Sequence, residues 1–197
     1  MSKNIGPNKK NLEQTRKLFL QIAKTEFINH GYADSSTNRI VAESGMARGS
    51  LYYHFKDKRQ LFLAVYTRLL EDINNRIHKE LKKTQDPWDA IKLGCSLFLK
   101  ECKNKKTRKL LIESLSAIPY QERLAIHSNT LLKTFEDYLG PSMENGRFKG
   151  QDPLMITIII YGMMSELGRS FELVENPDQY LKMMTDSLNS TLDKMAA

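Results

Sequence analysis

No stretch of this chain strings together the ~18–20 uninterrupted apolar residues that a membrane-spanning helix needs, so no membrane partner is expected. Behind the basic N-terminal stretch MSKNIGPNKKNLEQT there is no apolar run, so no signal peptide is expected and the reducing cytosol is the expected compartment. Cysteine is scarce, with only Cys95 and Cys102. In a helix two residues seven apart share a face about 10.5 Å apart along the axis. A disulfide needs Cα atoms within roughly 7 Å, so these two read as small buried hydrophobes. Seven is not a zinc-ligand spacing and no histidine pair supports a metal; neither metal nor cofactor is expected. No nucleophile–base pair, phosphate-cradling loop or nearby paired acids stand out, so no enzymatic activity is expected. Strand-like alternation is missing too, which leaves an all-α fold.

The 197 residues that are present allow one large domain or a small one joined to a medium one. With 41% hydrophobic and 27% charged residues the chain is too apolar for a disordered polymer. Its charge is unevenly placed. Residues 1–66 hold 11 Lys/Arg against 5 Asp/Glu, whereas the remainder is nearly balanced at 19 against 18. A basic first third on a neutral body points to a polyanion-binding N-terminal module.

About nine helices are predicted. Residues 1–10 read as an arm, and the first helix is expected over 12–29, capped by Asn11 with Gln14 three residues later and stopped at Gly31. Two short helical patterns follow, around Asn38–Glu43 and Arg48–His54, broken by Ser44-Gly45. That is the helix-turn-helix plan, with Ile40, Val41, Met46, Leu51 and Phe55 spaced to pack the pair on the first helix. Asp57 opens a long helix over 58–83. Asp86-Pro87, Asp152-Pro153 and Asn176-Pro177 each put a capping side chain before a proline at the first helical position. They predict helices over 87–103, 153–174 and 177–195. Thr107–Leu115 and Pro119–Leu139 supply a short and a long helix between them, the second closed by Gly140-Pro141. The expected division is residues 1–57 for an arm and DNA-binding domain and 58–197 for a C-terminal ligand-binding and dimerisation domain, with the 58–83 helix as the link.

In a helix-turn-helix the second helix enters the major groove while the first crosses the backbone. Arg48 suits a phosphate or a guanine edge, and Gly49 lets the helix backbone approach the bases. Ser50, Tyr52, Tyr53 and His54 offer donors to phosphates. Lys58, in the first turn of the long helix, and Ser36 and Thr37, at the start of the earlier short one, are further phosphate candidates.

The stretch GYADSSTNRIVAESGMARGSLYYHFKDKRQLF, residues 31–62, closely resembles the DNA-binding signature of the TetR family of bacterial transcriptional regulators. Gly31, Tyr32, Ser35, Ser36, Ile40, Gly45, Gly49, Leu51, Tyr52, His54, Phe55, Lys58 and Leu61 carry the match. Val41, Ser44 and Met46 depart from it as packing changes. Ala47 stands where family members often have a capping, phosphate-touching serine, so that contact is not carried over. The resemblance implies a three-helix DNA-binding domain and a helical body that dimerises and holds a small-molecule pocket. It also implies repression relieved by an inducer.

From composition, the 153–174 and 177–195 helices are the dimer candidates, two per subunit around a two-fold axis. Ile158, Tyr161, Gly162, Ser165, Gly168, Met184, Leu188 and Leu192 are the expected interface. Leu154–Met164 is apolar nearly all round, which requires burial on more than one side. The candidate pocket is lined by Leu69, Ile73, Trp88, Ile91, Cys95, Phe98, Cys102 and Leu111, a sulfur-rich and aromatic set suited to a flat apolar ligand. His78, His127 and Glu113 are candidates to orient it, each read first as a solvated or structural side chain. The expected partners are therefore double-stranded operator DNA, a second copy of the chain and an apolar or aromatic inducer. A DNA-organising protein on the same scaffold that answers to no ligand is the alternative.

Overall fold

The computed structural model describes residues 7–197 as ten α-helices and one 3-10 turn, with no strand among the described residues. In chain order the helices are α1 (Pro7–Asp34), α2 (Thr37–Ser44), α3 (Arg48–His54), α4 (Lys58–Leu81), α5 (Pro87–Lys103), α6 (Lys105–Ala117), α7 (Tyr120–Ser128), α8 (Leu131–Glu144), α9 (Pro153–Ser170) and α10 (Pro177–Ala196). The 3-10 turn, Phe171–Leu173, follows α9. The all-α expectation holds, with one helix more than nine.

All three Asx-Pro starts cap as expected. The N–H groups of Asp89, Met155 and Gln179 donate to Asp86 Oδ1, Asp152 Oδ1 and Asn176 Oδ1 at 2.9, 3.0 and 3.1 Å. Each side-chain oxygen satisfies an amide that the first turn leaves without a partner. Two boundaries differ from expectation. Helix α1 already runs from Pro7, a residue preorganised for a first helical turn, so Asn11 lies inside it rather than at its cap. The expected arm is thus helical over residues 7–10, and the rest of it lies outside the described residues. The single helix expected over 119–139 is two. At its break the Thr130 hydroxyl donates to Ile126 O at 2.7 Å and the Asn129 amide to Ala125 O at 2.8 Å. The Thr130 hydroxyl takes over the carbonyl that its own N–H would use in a continuing helix, while that N–H turns to His127 O at 3.1 Å. Helix α8 then runs through Gly140-Pro141 to Glu144 rather than stopping there.

The chain forms two compact units. One comprises the residues up to Arg68 with Lys109–Pro119, and the other Leu69–Arg108 with Tyr120–Ala197. The division falls inside α4, later than the expected boundary at 57, and residues 109–119 of α6 go with the first unit. In that unit Phe19, Phe27, Ile40, Leu51, Leu61 and Phe62 are buried. Phe27 and Tyr32 both meet the Phe62 ring edge-on, at 4.9 and 5.1 Å between centroids. Each fully buried side chain of this size contributes about 1.5–3 kcal/mol. In the second unit α5 packs against α8, α9 and α10. Close approach at its back is set by Gly168, where a Cβ would lie 2.9 Å from Cys102 Sγ.

A buried carboxylate ties α1 to α2 in the first unit. Glu26 Oε1 accepts from Ser36 N at 2.8 Å and from Arg39 Nε at 2.8 Å. Burial alone pushes this carboxyl up. The Arg39 and Ser36 hydrogen bonds and the charges of Arg39 and His30 outweigh it, holding the carboxyl below its ordinary value of 4.5. A carboxyl whose pKa is lower folded than unfolded stabilises the fold above the unfolded value. That stabilisation is lost as pH falls below 4.5 and through the folded pKa. Glu26→Gln is expected to remove about 1–2 kcal/mol at neutral pH, allowing for the half-exposed Arg39. It should also flatten the acid limb of a stability–pH curve measured by urea unfolding. An acid limb unchanged from the parent would assign it to other carboxylates.

Candidate nucleic-acid interface

The two short helices are held by a turn whose parts are all in the sequence. Ser36 caps α2, accepting from Arg39 N at 3.5 Å. Gly45 ends the helix at φ 64°, ψ 10°, a left-handed conformation that glycine adopts without the steric cost of a Cβ. The Ser44 hydroxyl donates to Val41 O at 2.8 Å and accepts from Met46 N at 3.2 Å, bracing the turn. Ala47 opens α3 with no side-chain cap, as its missing hydroxyl dictates. Ile40, Leu51 and Phe55 are buried as expected. Val41 is only half-buried and Met46 is 37% exposed.

On the outer side, α3 presents Arg48 and Gly49 exposed, Ser50 half-buried, Tyr52 exposed and Tyr53 71% exposed. Arg48 lies over the Tyr52 ring at 5.5 Å, and the Tyr52 hydroxyl is 3.5 Å from Thr37 Oγ1. The expected residues Ser36, Thr37, Arg48, Gly49, Ser50, Tyr52 and Tyr53 therefore come from the α2 start and α3 of one unit. Two others are placed differently. Lys58 donates its three ammonium protons to Tyr32 O, Ala33 O and Ser35 O at 2.9, 3.0 and 3.2 Å, with the Tyr32 ring 4.8 Å away. Its charge is taken up by carbonyls at and just beyond the end of α1. His54 has Nε2 buried without a hydrogen-bond partner, with ring contacts to Phe19, Tyr53 and Phe55. Burial, then the Arg16 charge, lowers its pKa, so that nitrogen packs rather than donates.

The second unit contains a cavity of about 710 Å³, its open mouth included, between α4, α5, α7, α8 and α9. Ile91, Cys95 and Phe98 line it as expected. Leu69, Ile73, Trp88, Cys102 and Leu111 do not. Leu69 and Ile73 are buried core residues. Cys102 lies against Gly168, and Leu111 belongs to the first unit. Trp88 is fixed by its Nε1–H to Asp193 Oδ1 at 2.7 Å and by the Phe148 ring edge at 5.3 Å. Asn74, His127, Tyr138 and Tyr161 line the cavity but lay outside the expected lining, apart from the weighing of His127. Their helical spacing reads as polar face or interface until the packing partners are known. Both thiols are buried, which pushes each up to about 12. Glu113 belongs to the first unit, where it accepts from Tyr32 N at 2.9 Å.

The model of the family described as bacterial regulatory proteins, tetR family, matches residues 19–65, the span that holds most of α1, all of α2 and α3, and the start of α4. Over that span the chain is similar to the TetR family. It is 27% identical over 106 residues to the HTH-type transcriptional regulator AcrR of Shigella flexneri, covering 53% of this chain and 49% of that one. The chain thus spans about a third to a half of the length of the first curated relatives it matches. Among solved structures, a TetR-family regulator from Pectobacterium atrosepticum superimposes with a TM-score of 0.76 at 22% identity, over 96% of this chain and 97% of that one. FadR of Bacillus subtilis in complex with stearoyl-CoA gives 0.72 at 18% identity, over 92% and 99%. These two likenesses are to the fold.

The residues expected at a TetR dimer interface divide into two groups. Met184, Leu188, Leu192 and Gly168 are buried inside the chain's own second unit, where α10 packs on α5. Tyr161 and Ser165 are half-buried and line the cavity. Only Ile158 and Gly162 are exposed, and they share their face of α9 with Leu154, Met155 and Ile159 at 61, 50 and 47% exposure. By length and composition α9 with its 3-10 extension is apolar enough to cross a membrane. It nevertheless carries Glu166 and Arg169, and buries Ile156, Ile160 and Met164.

Proposed function

We propose that this chain is a TetR-family DNA-binding transcriptional regulator that works as a homodimeric repressor in the cytoplasm. A small molecule entering the second unit releases it from its operator. The observation that carries the reading is the two-faced α3. Leu51 and the adjoining Phe55 are buried behind it, while Arg48, Gly49 and Tyr53 stand in solvent in front. A seven-residue helix gains little by itself in water, so a helix this short with such a front is held by its neighbours for display. Arg48, Gly49, Ser50, Tyr52 and Tyr53 meet the DNA, with Ser36, Thr37 and the Lys58 amide at the backbone.

The exposed α9 face argues for the second copy. A run of Leu154, Met155, Ile158, Ile159 and the side-chain-free Gly162 on one helix is the kind of patch that marks an association surface. A partner with the same face closes a two-fold interface. For the ligand, the stearoyl-CoA of FadR is a precedent on this fold for a molecule with a large apolar part.

Fluorescence anisotropy with duplexes from the region upstream of the chain's own gene tests the proposal. Saturation at an even number of chains per duplex and steep weakening with salt are expected. Arg48→Ala should reduce the log–log salt slope by about one, the signature of one lost phosphate contact. Equal binding by parent and variant at every salt concentration would remove α3 from the interface.

A further inference from the structure

The cavity's wall says what kind of molecule it holds. None of the described residues that line it is Asp, Glu, Lys or Arg. Its histidine, His127, is buried, and burial followed by the Arg123 charge pushes it down to about 4, so the ring is neutral at physiological pH. A ligand charge inside such a wall would lose its water and meet no counter-charge, which is strongly unfavourable. Leu, Ile, Phe and Met make up about half of the lining, and Ala90, Gly94 and Cys95 add further apolar surface.

Asn74 brings an unmet need to this wall. Asn74 Oδ1, on α4, is buried with no hydrogen-bond partner. By contrast the Thr157 hydroxyl, also in the wall, is already committed to Pro153 O at 2.9 Å. A buried carbonyl oxygen lacking a donor costs free energy that a ligand donor recovers on binding. A hydroxyl is suited to an asparagine amide because it both donates and accepts, whichever way the amide is turned.

We infer that the cavity binds an uncharged, mostly apolar molecule bearing a hydroxyl group that pairs with the Asn74 side-chain amide. This rests on reading the second unit as a ligand-binding body, and it narrows the inducer from any apolar molecule to a neutral hydroxylated one.

Isothermal titration of the full chain with four probes of matched shape tests it: para-butylphenol, butylbenzene, para-butylbenzoate and para-butylbenzylammonium. The phenol is expected to bind at least about tenfold more tightly than either ion. Asn74→Leu should weaken the phenol about fivefold to tenfold while butylbenzene binds as well or better. The unaltered protein's ranking of the four probes stands even if that variant does not fold. Either ion binding as tightly as the phenol overturns the inference. So does a folded Asn74→Leu variant that weakens phenol and hydrocarbon alike. If no probe binds while the same preparation binds operator duplex, the ligand assignment fails and the regulator reading survives. An Asn74-dependent phenol affinity in a protein that binds no duplex leaves the ligand assignment standing and the regulator reading overturned.

Discussion

Gly31→Ala is expected to destabilise the first unit by about 3 kcal/mol, with two separable causes. Gly31 interrupts α1 at φ 75°, ψ 174°, a region that is essentially glycine-only and costs another residue about 1–3 kcal/mol. A Cβ there would also lie 2.7 Å from Glu113 Oε1, closer than the two atoms can stand. Glu113 cannot simply swing away without loss, because its other oxygen accepts from Tyr32 N at 2.9 Å. Giving up a hydrogen bond to a charged acceptor costs about 1.5–3 kcal/mol. Urea unfolding of parent, Gly31→Ala, Glu113→Ala and the double variant separates the causes. In the Glu113→Ala background the alanine at 31 should cost about 1–2 kcal/mol less than in the parent. Strict additivity would show that the carboxylate and the glycine do not depend on each other.

That contact marks where the sequence stops being legible. Gly31 is recognisable as a helix stop, and Gly45 as a turn between two short helices, because each acts through its own backbone. The Asx-Pro starts are legible for the same reason: cap and capped amide are three residues apart. Glu113 meets Tyr32 from 81 residues away, and nothing local announces it. Lys58 makes the same point with charge. Its position at a helix start advertises a phosphate ligand, but the carbonyls that occupy it lie at and just beyond the end of α1, 23–26 residues earlier. The apolar stripes behave alike. Periodicity finds the stripe of Met184, Leu188 and Leu192 without saying whether the chain's own α5 or a second copy covers it. The cavity is the least legible feature. A run of Trp88, Ile91, Cys95, Phe98 and Cys102 at helical spacing faces one way on average, yet Ile91, Cys95 and Phe98 line the space while Trp88 and Cys102 are packed shut. Asn74, on the helix expected over 58–83, has nothing local to single it out and becomes visible only once α8 and α9 join α4 in lining the cavity.

Gly49 is where stability and the proposed activity should move in opposite directions. It is the second residue of α3, exposed, and a Cβ built on it meets nothing within 4 Å. No strain within the protein therefore demands glycine there. Helix propensity disfavours glycine by about 1 kcal/mol relative to alanine, so Gly49→Ala should leave the melting temperature equal or raised. Gly49→Tyr should fold as well as the parent. Only a surface outside the chain can give the missing side chain a purpose. If α3 lies in a major groove with its backbone against the base edges, a tyrosine at 49 lifts the helix away from them. The phosphate contacts, made through longer side chains and largely indifferent to sequence, survive better. The expected result is a loss of about 100-fold or more in operator affinity, comparable to one or two mismatched base pairs. Salt-dependent binding to a scrambled duplex should stay nearly unchanged. Gly49→Ala should fall between parent and tyrosine. Anisotropy titrations on both duplexes, with circular dichroism melts of each variant, give the two axes. A Gly49→Tyr protein that still prefers its operator by the parent's margin would place base reading somewhere other than α3.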